Sequence, residues 1–363
     1  MSRINNLKKS KKAAIEIQFN WIYIAIAGGI ILLLFLNIAA GIRKSSKEQL
    51  EYEAINYFDK IFTSMQSSEN TENSITLPGM EIEVETAKTD IGQCNYYKIS
   101  KSTKEGQEIK YLPIFSPDII KKKVLSYSIG WDMPFRVNYF LYLTSPDVAY
   151  VFVNDVYNIE DDMPDHLTKR SVDSTYDFIN QNYYKIRYVA FNEDPNNFQL
   201  GSSVKKLKDN DVTLVNIIPE TDIYGFGKIV FYGKKSSSLE EKGTTYYLDE
   251  ATLFAAIYSN SYESYQCNMM KSFERLNKLS SLLKERVEVI GNSELVSYCN
   301  AHPDRCKCTS DIYTRASSIL NNLQQSTSSF IIQDTSIKNL ETIKRDLASL
   351  NDEINKKSCP TVY

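Results

Sequence analysis

The densest group of reactive side chains lies between residues 299 and 308. Cys299, His302, Cys306 and Cys308 place three thiols and one imidazole within ten residues. Thiolates and imidazoles bind zinc tetrahedrally, so a zinc site is one interpretation. The cysteines are separated by six residues and then by one, which differs from the usual zinc spacings. We therefore favour disulfides over a metal site.

The number of cysteines also favours disulfides. The even count predicts up to three disulfides outside the cytoplasm. If the last two helices run antiparallel, Cys306 or Cys308 meets Cys359, and the other reaches Cys299 or Cys267. The candidates are Cys94, Cys267, Cys299, Cys306, Cys308 and Cys359.

Histidine chemistry is restricted to two residues, His166 and His302. A Ser-His-Asp or Cys-His hydrolase requires one of them, yet neither lies in a recognisable motif and no Gly-x-Ser-x-Gly occurs. His166 follows an acidic run, residues 160–165, which indicates a solvated helix start. Calcium is the alternative, but the run lacks the alternation and the glycine of a calcium loop. We assign no catalytic residue and no metal.

Nucleotide and nucleic-acid binding are not favoured. No Gly-x-Gly-x-x-Gly follows a predicted strand, and no Gly-x4-Gly-Lys-Ser/Thr occurs. The glycines of residues 224–227 precede a strand and indicate a tight turn. The net charge is −3, from 42 basic and 45 acidic residues, which gives no basic surplus for phosphates. We expect no cofactor and no nucleic-acid partner.

An apolar run without a charged side chain, residues 19–42, precedes all of these groups. As a helix it reaches roughly 36 Å, enough to cross a hydrocarbon core of about 30 Å. The first twelve residues carry five basic side chains and no acid. Basic excess on the short side predicts a cytoplasmic N-terminus. We expect a single-pass cell-membrane protein whose C-terminal domain lies outside.

Two alternatives remain for the N-terminal segment. A cleaved signal peptide has a shorter apolar core, although the small residues 39–41 offer a cleavage site. A pilin-type leader is processed before the apolar stretch, and residues 11–16 hold the basic patch and acid that such leaders use.

The remaining chain shows a shift from strand patterns to helical periodicity. The predicted organisation is a cytoplasmic basic tail (1–18), a transmembrane helix (19–42), a stalk helix and linker (43–74), an α/β ectodomain (75–248) and a C-terminal helical region with the cysteine loop (249–363).

In the α/β region, alternating or continuous apolar runs predict strands. Residues 148–153 form a continuous apolar run, typical of a strand covered on both faces. We expect a largely parallel or mixed sheet. The expected strands are 80–85, 95–100, 109–115, 148–153, 185–191, 212–218 and 228–232, with 136–143 as a helix or strand and helices beginning at 116 and spanning 166–180.

The C-terminal region predicts a helical hairpin or three-helix layer. One apolar stripe runs from Asp249, a plausible N-cap, to Gly291, a plausible stop. A shorter helix is predicted over residues 310–325 and a last one after Asp334.

Two stretches carry a family resemblance. Residues 12–29 (KAAIEIQFNWIYIAIAGG) resemble the opening of uncharacterised single-pass membrane proteins of small-genome (DPANN-type) archaea, which share an A-I-E-x-Q-F-N-W-I leader. Residues 134–137 (PFRV) and 140–144 (FLYLT) are also similar to them. The resemblance implies an archaeal cell surface and a Rossmann-like ectodomain, and it brings no activity.

The favoured function is non-enzymatic: an extracytoplasmic protein that binds a protein partner or assembles in the envelope. Its expected partners are the lipid bilayer and either a protein or a second copy, since Gly28 and Gly29 allow close helix approach. One alternative is a membrane-tethered hydrolase or transferase acting at the strand ends of the α/β domain. Another is a pilin-like surface subunit.

Overall fold

A computed structural model of the chain describes residues 25–26, 28–42, 71–84, 98–99, 112–304, 306–328 and 334–363. The chain divides into two compact units, residues 1–58 and 59–363. The predicted cytoplasmic tail, the predicted stalk helix and Cys94 lie outside the described residues.

Helix α1 (28–42) is the main described element of the first unit. Its large apolar side chains are exposed around the helix, for example Leu32 at 62% and Phe35 at 66%. Among the described residues, no helix is both long enough and apolar enough to cross a membrane.

The second unit begins with a mixed five-stranded sheet in the order β2-β1-β4-β5-β3. Its neighbours pair antiparallel except β3 and β5, which are parallel. The strands are β1 (Thr71–Glu83), β2 (Lys98–Ile99), β3 (Ile114–Phe115), β4 (Ile119–Asp132) and β5 (Arg136–Thr144).

A second, six-stranded sheet follows in the order β11-β10-β9-β8-β6-β7. The strands β7, β6, β8 and β9 are parallel to one another, and β10 and β11 add an antiparallel extension. The strands are β6 (Val148–Val153), β7 (Thr168–Val172), β8 (Lys185–Phe191), β9 (Val212–Pro219), β10 (Gly227–Lys235) and β11 (Ser238–Tyr247). One-turn helices α2 (Ile159–Asp162) and α3 (Ser202–Lys205) lie in the connections.

The α/β class is confirmed, but the chain builds two mixed sheets where the sequence predicted one. The helix expected from residue 116 is wrong, because Pro117 lies in the short connection between β3 and β4. The helix expected over 166–180 is also wrong, because residues 168–172 pair with β6 as strand β7. The segment 136–143 is a strand.

Helices make up the rest of the second unit. They are α4 (Glu250–Tyr258), α5 (Tyr262–Gly291), α6 (Glu294–Ala301), α7 (Ser310–Ser328) and α8 (Asp334–Lys356). Asp249 is the N-cap as predicted, with its carboxylate accepting from Thr252 N at 3.0 Å. The single long helix expected from Asp249 to Gly291 is interrupted after Tyr258, because Ser261 begins a new helix by capping Ser264 N.

Helix α4 explains how the two sheets share one core. All its residues from Ala251 to Tyr258 are buried. The ring of Tyr258 lies 5.0 Å from that of Tyr142 on β5 and 5.5 Å from that of Tyr150 on β6. The opposite face of the second sheet is covered by a separate apolar cluster that includes Phe178, Leu200 and Val204. Because both faces are covered, open polar groups of this sheet concentrate at its strand ends.

Candidate functional site

The carboxyl ends of the parallel strands define one edge of the second sheet. Pro219 at the end of β9 pairs with Gly227, and Gly227 pairs with Tyr247 at the end of β11. The strands β6 and β8 run parallel to β9, so Val153 and Phe191 end at the same edge. Ligands of open α/β sheets bind at this edge, near the point where the strand order reverses.

The reversal lies between β6 and β8, because the chain leads from β6 outward to β7 and from β8 outward to β9. Side chains fill this crevice. The ring of Tyr157 packs 5.5 Å from that of Phe191, and Asn192 Nδ2 donates to Tyr157 Oη at 3.2 Å. Asn154 Nδ2 donates to Glu193 Oε1 at 3.2 Å. A nucleotide would have to displace these groups to enter.

An open polar cluster lies farther along the same edge. The turn between β9 and β10 holds Tyr224, whose amide donates to Asp222 Oδ1 at 3.1 Å. From there the Tyr224 hydroxyl crosses to α2 and donates to Asp162. We call the following residues the strand-end site: Asp162, Glu220, Asp222, Tyr224, Tyr247 and Glu250.

Tyr247 contributes a hydroxyl with no hydrogen-bond partner among the described residues, although the residue is fully buried. Its ring is held against Gly227: a Cβ at that position would lie 2.7 Å from Tyr247 Cε1. Burial, followed by the nearby Tyr157, Asp222 and Glu220, raises the pKa of Tyr247. A buried hydroxyl left unpaired costs about 1–3 kcal/mol. The protein therefore retains this polar group at a cost to stability.

The charges of the strand-end site are mainly negative. Burial and then the carboxylates of Asp162 and Asp249 raise the pKa of Glu250. In the described part of the chain, no lysine or arginine forms an ion pair with Asp162, Asp222 or Glu250. Two lysines of α8 approach from the side.

Those lysines pair with carboxylates at the margin of the cluster. Lys338 Nζ lies 3.2 Å from Glu220 Oε2, and Lys344 Nζ lies 3.9 Å from Asp249 Oδ2. The strand-end site therefore keeps an excess of negative charge, because Asp162, Asp222 and Glu250 have no cation partner among the described residues.

The histidines proposed as possible catalytic groups do not converge. His166 Nδ1 lies 2.6 Å from Glu72 Oε2. His302 Nδ1 lies 3.0 Å from the carbonyl oxygen of Tyr298, and its ring stacks on that of Tyr298 at 4.3 Å. No nucleophile paired with a histidine appears among these contacts.

The candidate cysteines form pairs. Cys308 and Cys359 are bonded with Cα atoms 5.5 Å apart, and Cys299 is bonded to Cys306. This is one of the pairings that the antiparallel helix layout left open. The sulfurs of Cys299, Cys306 and Cys308 lie within 4.8 Å of one another. Both bonds occupy the thiols that a zinc site would need, so the geometry agrees with disulfides.

Cys267 is buried in α5 and is also disulfide-bonded. The one further cysteine in the sequence is Cys94.

A groove of about 550 Å³ lies between α5 and α7. Its polar side chains already pair with one another: Lys284 Nζ donates to Asn321 Oδ1 at 3.0 Å, and Ser317 Oγ donates to Glu288 Oε1 at 3.3 Å. This groove offers fewer open groups than the strand-end site.

Sequence reasoning missed the strand-end site. It placed Asp162 in a solvated acidic run, Tyr224 in a tight turn and Glu250 at a helix start. Each description fits its own segment. What unites them is the pairing of β6, β8, β9, β10 and β11 in one sheet, which brings residues 162, 224, 247 and 250 to one edge.

Comparison of the chain with protein-family models, with curated proteins and with solved structures finds no match.

Proposed function

We propose that this protein is anchored in the cell membrane by residues 19–42, with its C-terminal domain outside the cytoplasm, and that this domain binds a partner without catalysing a reaction. The observation that carries the anchoring is the uncharged apolar run, together with the exposure of its side chains in α1. A helix that is apolar all round requires an apolar environment. A bilayer provides it.

The disulfides support an external location for the second unit. Disulfides persist in oxidising compartments and are rare in the cytosol. Cys308–Cys359 joins positions 51 residues apart, linking the start of α7 to the segment after α8.

The strand-end site supports a binding role. It presents three carboxylates, Asp162, Asp222 and Glu250, that no described lysine or arginine neutralises, and it holds no histidine and no nucleophile–base pair within the described part of the chain. Binding through these groups requires no further chemistry.

Protease shaving tests the location. Intact cells that express the full chain with a C-terminal epitope should lose the epitope on protease treatment, while an N-terminal epitope persists until detergent opens the cells. An epitope at residue 363 that survives until lysis contradicts the proposed orientation.

Disulfide mapping provides an independent test. Thiols should be blocked in intact cells before digestion, and unreduced peptides identified by mass spectrometry. We expect the Cys299–Cys306 and Cys308–Cys359 links. Recovery of alkylated Cys308 or Cys359 in most molecules would argue against an oxidising location.

A tethered hydrolase or transferase is the second candidate, because the raised pKa of Glu250 suits a general acid. An enzyme of this kind would lose turnover on Glu250→Gln and retain binding, whereas a binding protein loses affinity. N-terminal sequencing of the mature protein distinguishes the cleaved-leader and pilin-like alternatives, which both require a new N-terminus.

A further inference from the structure

The two disulfides at the α6–α7 loop lie close enough to exchange partners. We propose that Cys306 is a thiol-reactive site: a low-molecular-weight thiol forms a mixed disulfide with Cys306, and the displaced Cys299 then attacks the neighbouring Cys308–Cys359 bond. This reactivity goes beyond the proposed binding function and requires only that the two disulfides have formed.

Sulfurs of two different disulfides form one cluster. Cys299 is bonded to Cys306, and Cys308 is bonded to Cys359. The sulfurs of Cys299, Cys306 and Cys308 all lie within 4.8 Å of one another. Exchange requires a thiolate to attack a disulfide sulfur directly. The distance between the sulfurs of Cys299 and Cys308 is one that side-chain rotation can close.

Burial indicates where an external thiol enters the cluster. Cys306 is partly exposed, whereas Cys299 is 0%, Cys308 4% and Cys359 6% exposed. Access helps to decide which sulfur of a disulfide is attacked. The first attack is therefore expected at Cys306, and the Cys308–Cys359 bond is reached from within the protein.

Hydrogen bonds hold the α6–α7 loop together independently of its disulfide. Asn300 Nδ2 donates to Ser310 Oγ at 3.2 Å, and the Ser310 amide donates to Asn300 Oδ1 at 3.2 Å. The Cys306 amide donates to the carbonyl oxygen of His302 at 3.2 Å. These contacts join the end of α6 to the start of α7, so the sulfurs stay close after the Cys299–Cys306 bond opens.

The segment after α8 is also held in place without its disulfide. The Cys359 amide donates to the carbonyl oxygen of Ile354 at 3.1 Å. Tyr313 Oη donates to the carbonyl oxygen of Pro360 at 3.0 Å. Cys359 therefore remains beside the cluster when its bond to Cys308 breaks, which keeps the exchange reversible.

The exchange needs no oxidant and no reductant beyond the thiol itself. The external thiolate bonds to the sulfur of Cys306, and the electron pair of the Cys299–Cys306 bond leaves on Cys299. Cys299 then bonds to Cys308, and the electron pair of the Cys308–Cys359 bond leaves on Cys359. Cys359 takes up the proton that the external thiol gave up, so the number of disulfides and the number of thiols are unchanged.

The test is peptide mapping of the full oxidised chain in detergent micelles after addition of equimolar reduced glutathione. S-methylglutathione, which lacks the thiol, is the matched compound. Samples are quenched with acid, labelled with N-ethylmaleimide and digested with trypsin without reduction. Trypsin cleaves after Arg305, Lys307 and Lys357, so the four cysteines of the two disulfides fall in separate peptides.

We expect glutathione on Cys306 as the first product, followed by a Cys299–Cys308 link and N-ethylmaleimide on Cys359. S-methylglutathione should leave both original links intact. Cys267, which is buried and disulfide-bonded, should stay unlabelled and serves as the internal control.

A double variant tests the route. Cys299→Ser/Cys306→Ser removes the exposed bond and leaves Cys308–Cys359 buried, so labelling of Cys359 should slow by at least about tenfold. Ser297→Ala, an exposed change on α6 that keeps both disulfides, should exchange at the parental rate. The products of the parent chain identify the route even where the double variant does not fold.

Labelled Cys359 in chains that keep the Cys299–Cys306 link overturns the inference, because the thiol has then attacked the second bond directly. Glutathione found first on Cys308 or Cys359 also overturns it, as does the persistence of both links. Equal labelling rates in the parent and the folded double variant contradict the route. Because the exchange is measured on the purified chain, its failure leaves the membrane location and the binding role unaffected.

Discussion

Polar groups at the two edges of the six-stranded sheet differ in how completely they are paired. At the amino edge, the first residue of β8 is Lys185, whose side chain is 3% exposed. Its ammonium group donates to the Asp118 carboxylate, to Asn260 Oδ1 at 2.6 Å and to the Asn210 carbonyl at 3.1 Å. Three donors meet three acceptors.

At the carboxyl edge, several polar groups lack the partners that Lys185 has at the amino edge. Asp162 and Glu250 have no cation among the described residues, and the Tyr247 hydroxyl has no partner there. The nearest lysines, Lys338 and Lys344, reach only the outer carboxylates.

This difference separates polar groups that hold the fold from polar groups that are open to a ligand. Lys185 joins the segment before β4, the segment before β9 and the end of α4, so its contacts serve folding. At the strand-end site, Asp162 accepts from Tyr224 and Glu220 pairs with Lys338, but Glu250 forms no ion pair among the described residues. Substitutions at the amino edge should therefore lower stability, while substitutions at the carboxyl edge should mainly alter binding.

The strongest test of this comparison is Lys185→Met. The substitution leaves Asp118 and the Asn260 amide without the buried ammonium group, and breaking a buried ion pair in this way costs about 3 kcal/mol. We expect a loss of this size in the free energy of unfolding, measured by urea titration with Trp131 fluorescence. Binding at the strand-end site should persist below the transition.

Lys235→Met provides the matched control, because Lys235 forms an exposed pair with Glu240 at 2.7 Å. Exposed pairs contribute about 0–1 kcal/mol. If both lysine variants lose similar stability, the amino edge has no special role in folding.

The next largest effect is expected for Gly227→Ala, because the added methyl group would clash with its neighbours at the carboxyl edge. The new Cβ would lie 2.6 Å from the Ile218 carbonyl oxygen and 2.7 Å from Tyr247 Cε1. Overpacking of this kind costs about 1–3 kcal/mol. Since Tyr247 must move, we expect a loss of this size in the same urea titration.

Gly233→Ala tests whether any glycine of β10 would behave alike. Its Cβ would first meet Lys242 Cε at 3.0 Å, the flexible part of a long side chain. We expect a smaller loss of stability in the same urea titration, and equal losses for the two variants would contradict the steric explanation.

The sequence was sufficient where one segment determines its own structure. The continuous apolar run at residues 148–153 predicted a strand covered on both faces, and Asp249 predicted a helix N-cap. The helices α7 and α8 followed from apolar spacing. Local signals failed at residues 116–118 and 166–180, because pairing with distant strands outweighs short helical patterns.

The strand-end site was beyond local reasoning for a related reason. In the sequence, Tyr247 is only the last residue of a predicted strand. The environment of its hydroxyl depends on strand pairing, which places Gly227 beside its ring. Asp162 and Tyr224 are separated by 62 residues. An acidic run or a glycine turn carries no signal that the two meet.

A third, smaller loss of stability is expected at Arg187, the other buried cation of β8. Arg187 is 3% exposed and lies two residues beyond Lys185 on β8. It donates to the carbonyl oxygens of Ala256 and Ile257 at 2.8 and 3.1 Å, at the end of α4. Burial lowers the pKa of its guanidinium to about 9.

Arg187→Met removes two hydrogen bonds, but it also removes a buried charge that pairs with no carboxylate among the described residues. These terms oppose each other, so we expect a loss of about 1 kcal/mol, well below that of Lys185→Met. Urea titrations of both variants should be run side by side. Equal losses would show that the carboxylate partner of Lys185 contributes little.

The smallest expected effect is a pH dependence at Glu250. Because the pKa of this carboxyl is raised in the folded state, the folded protein binds more protons than the unfolded chain between the two pKa values. Stability therefore falls as pH rises through the folded-state pKa, and the full penalty is present at neutral pH.

Glu250→Gln removes the charge, so it should stabilise the protein slightly at pH 7, by less than about 1 kcal/mol because the residue is exposed. The gain should vanish near pH 3, where both forms are neutral. Thermal midpoints of the two proteins across this range provide the measurement. A loss of stability at pH 7 would instead place Glu250 among the groups that hold the fold.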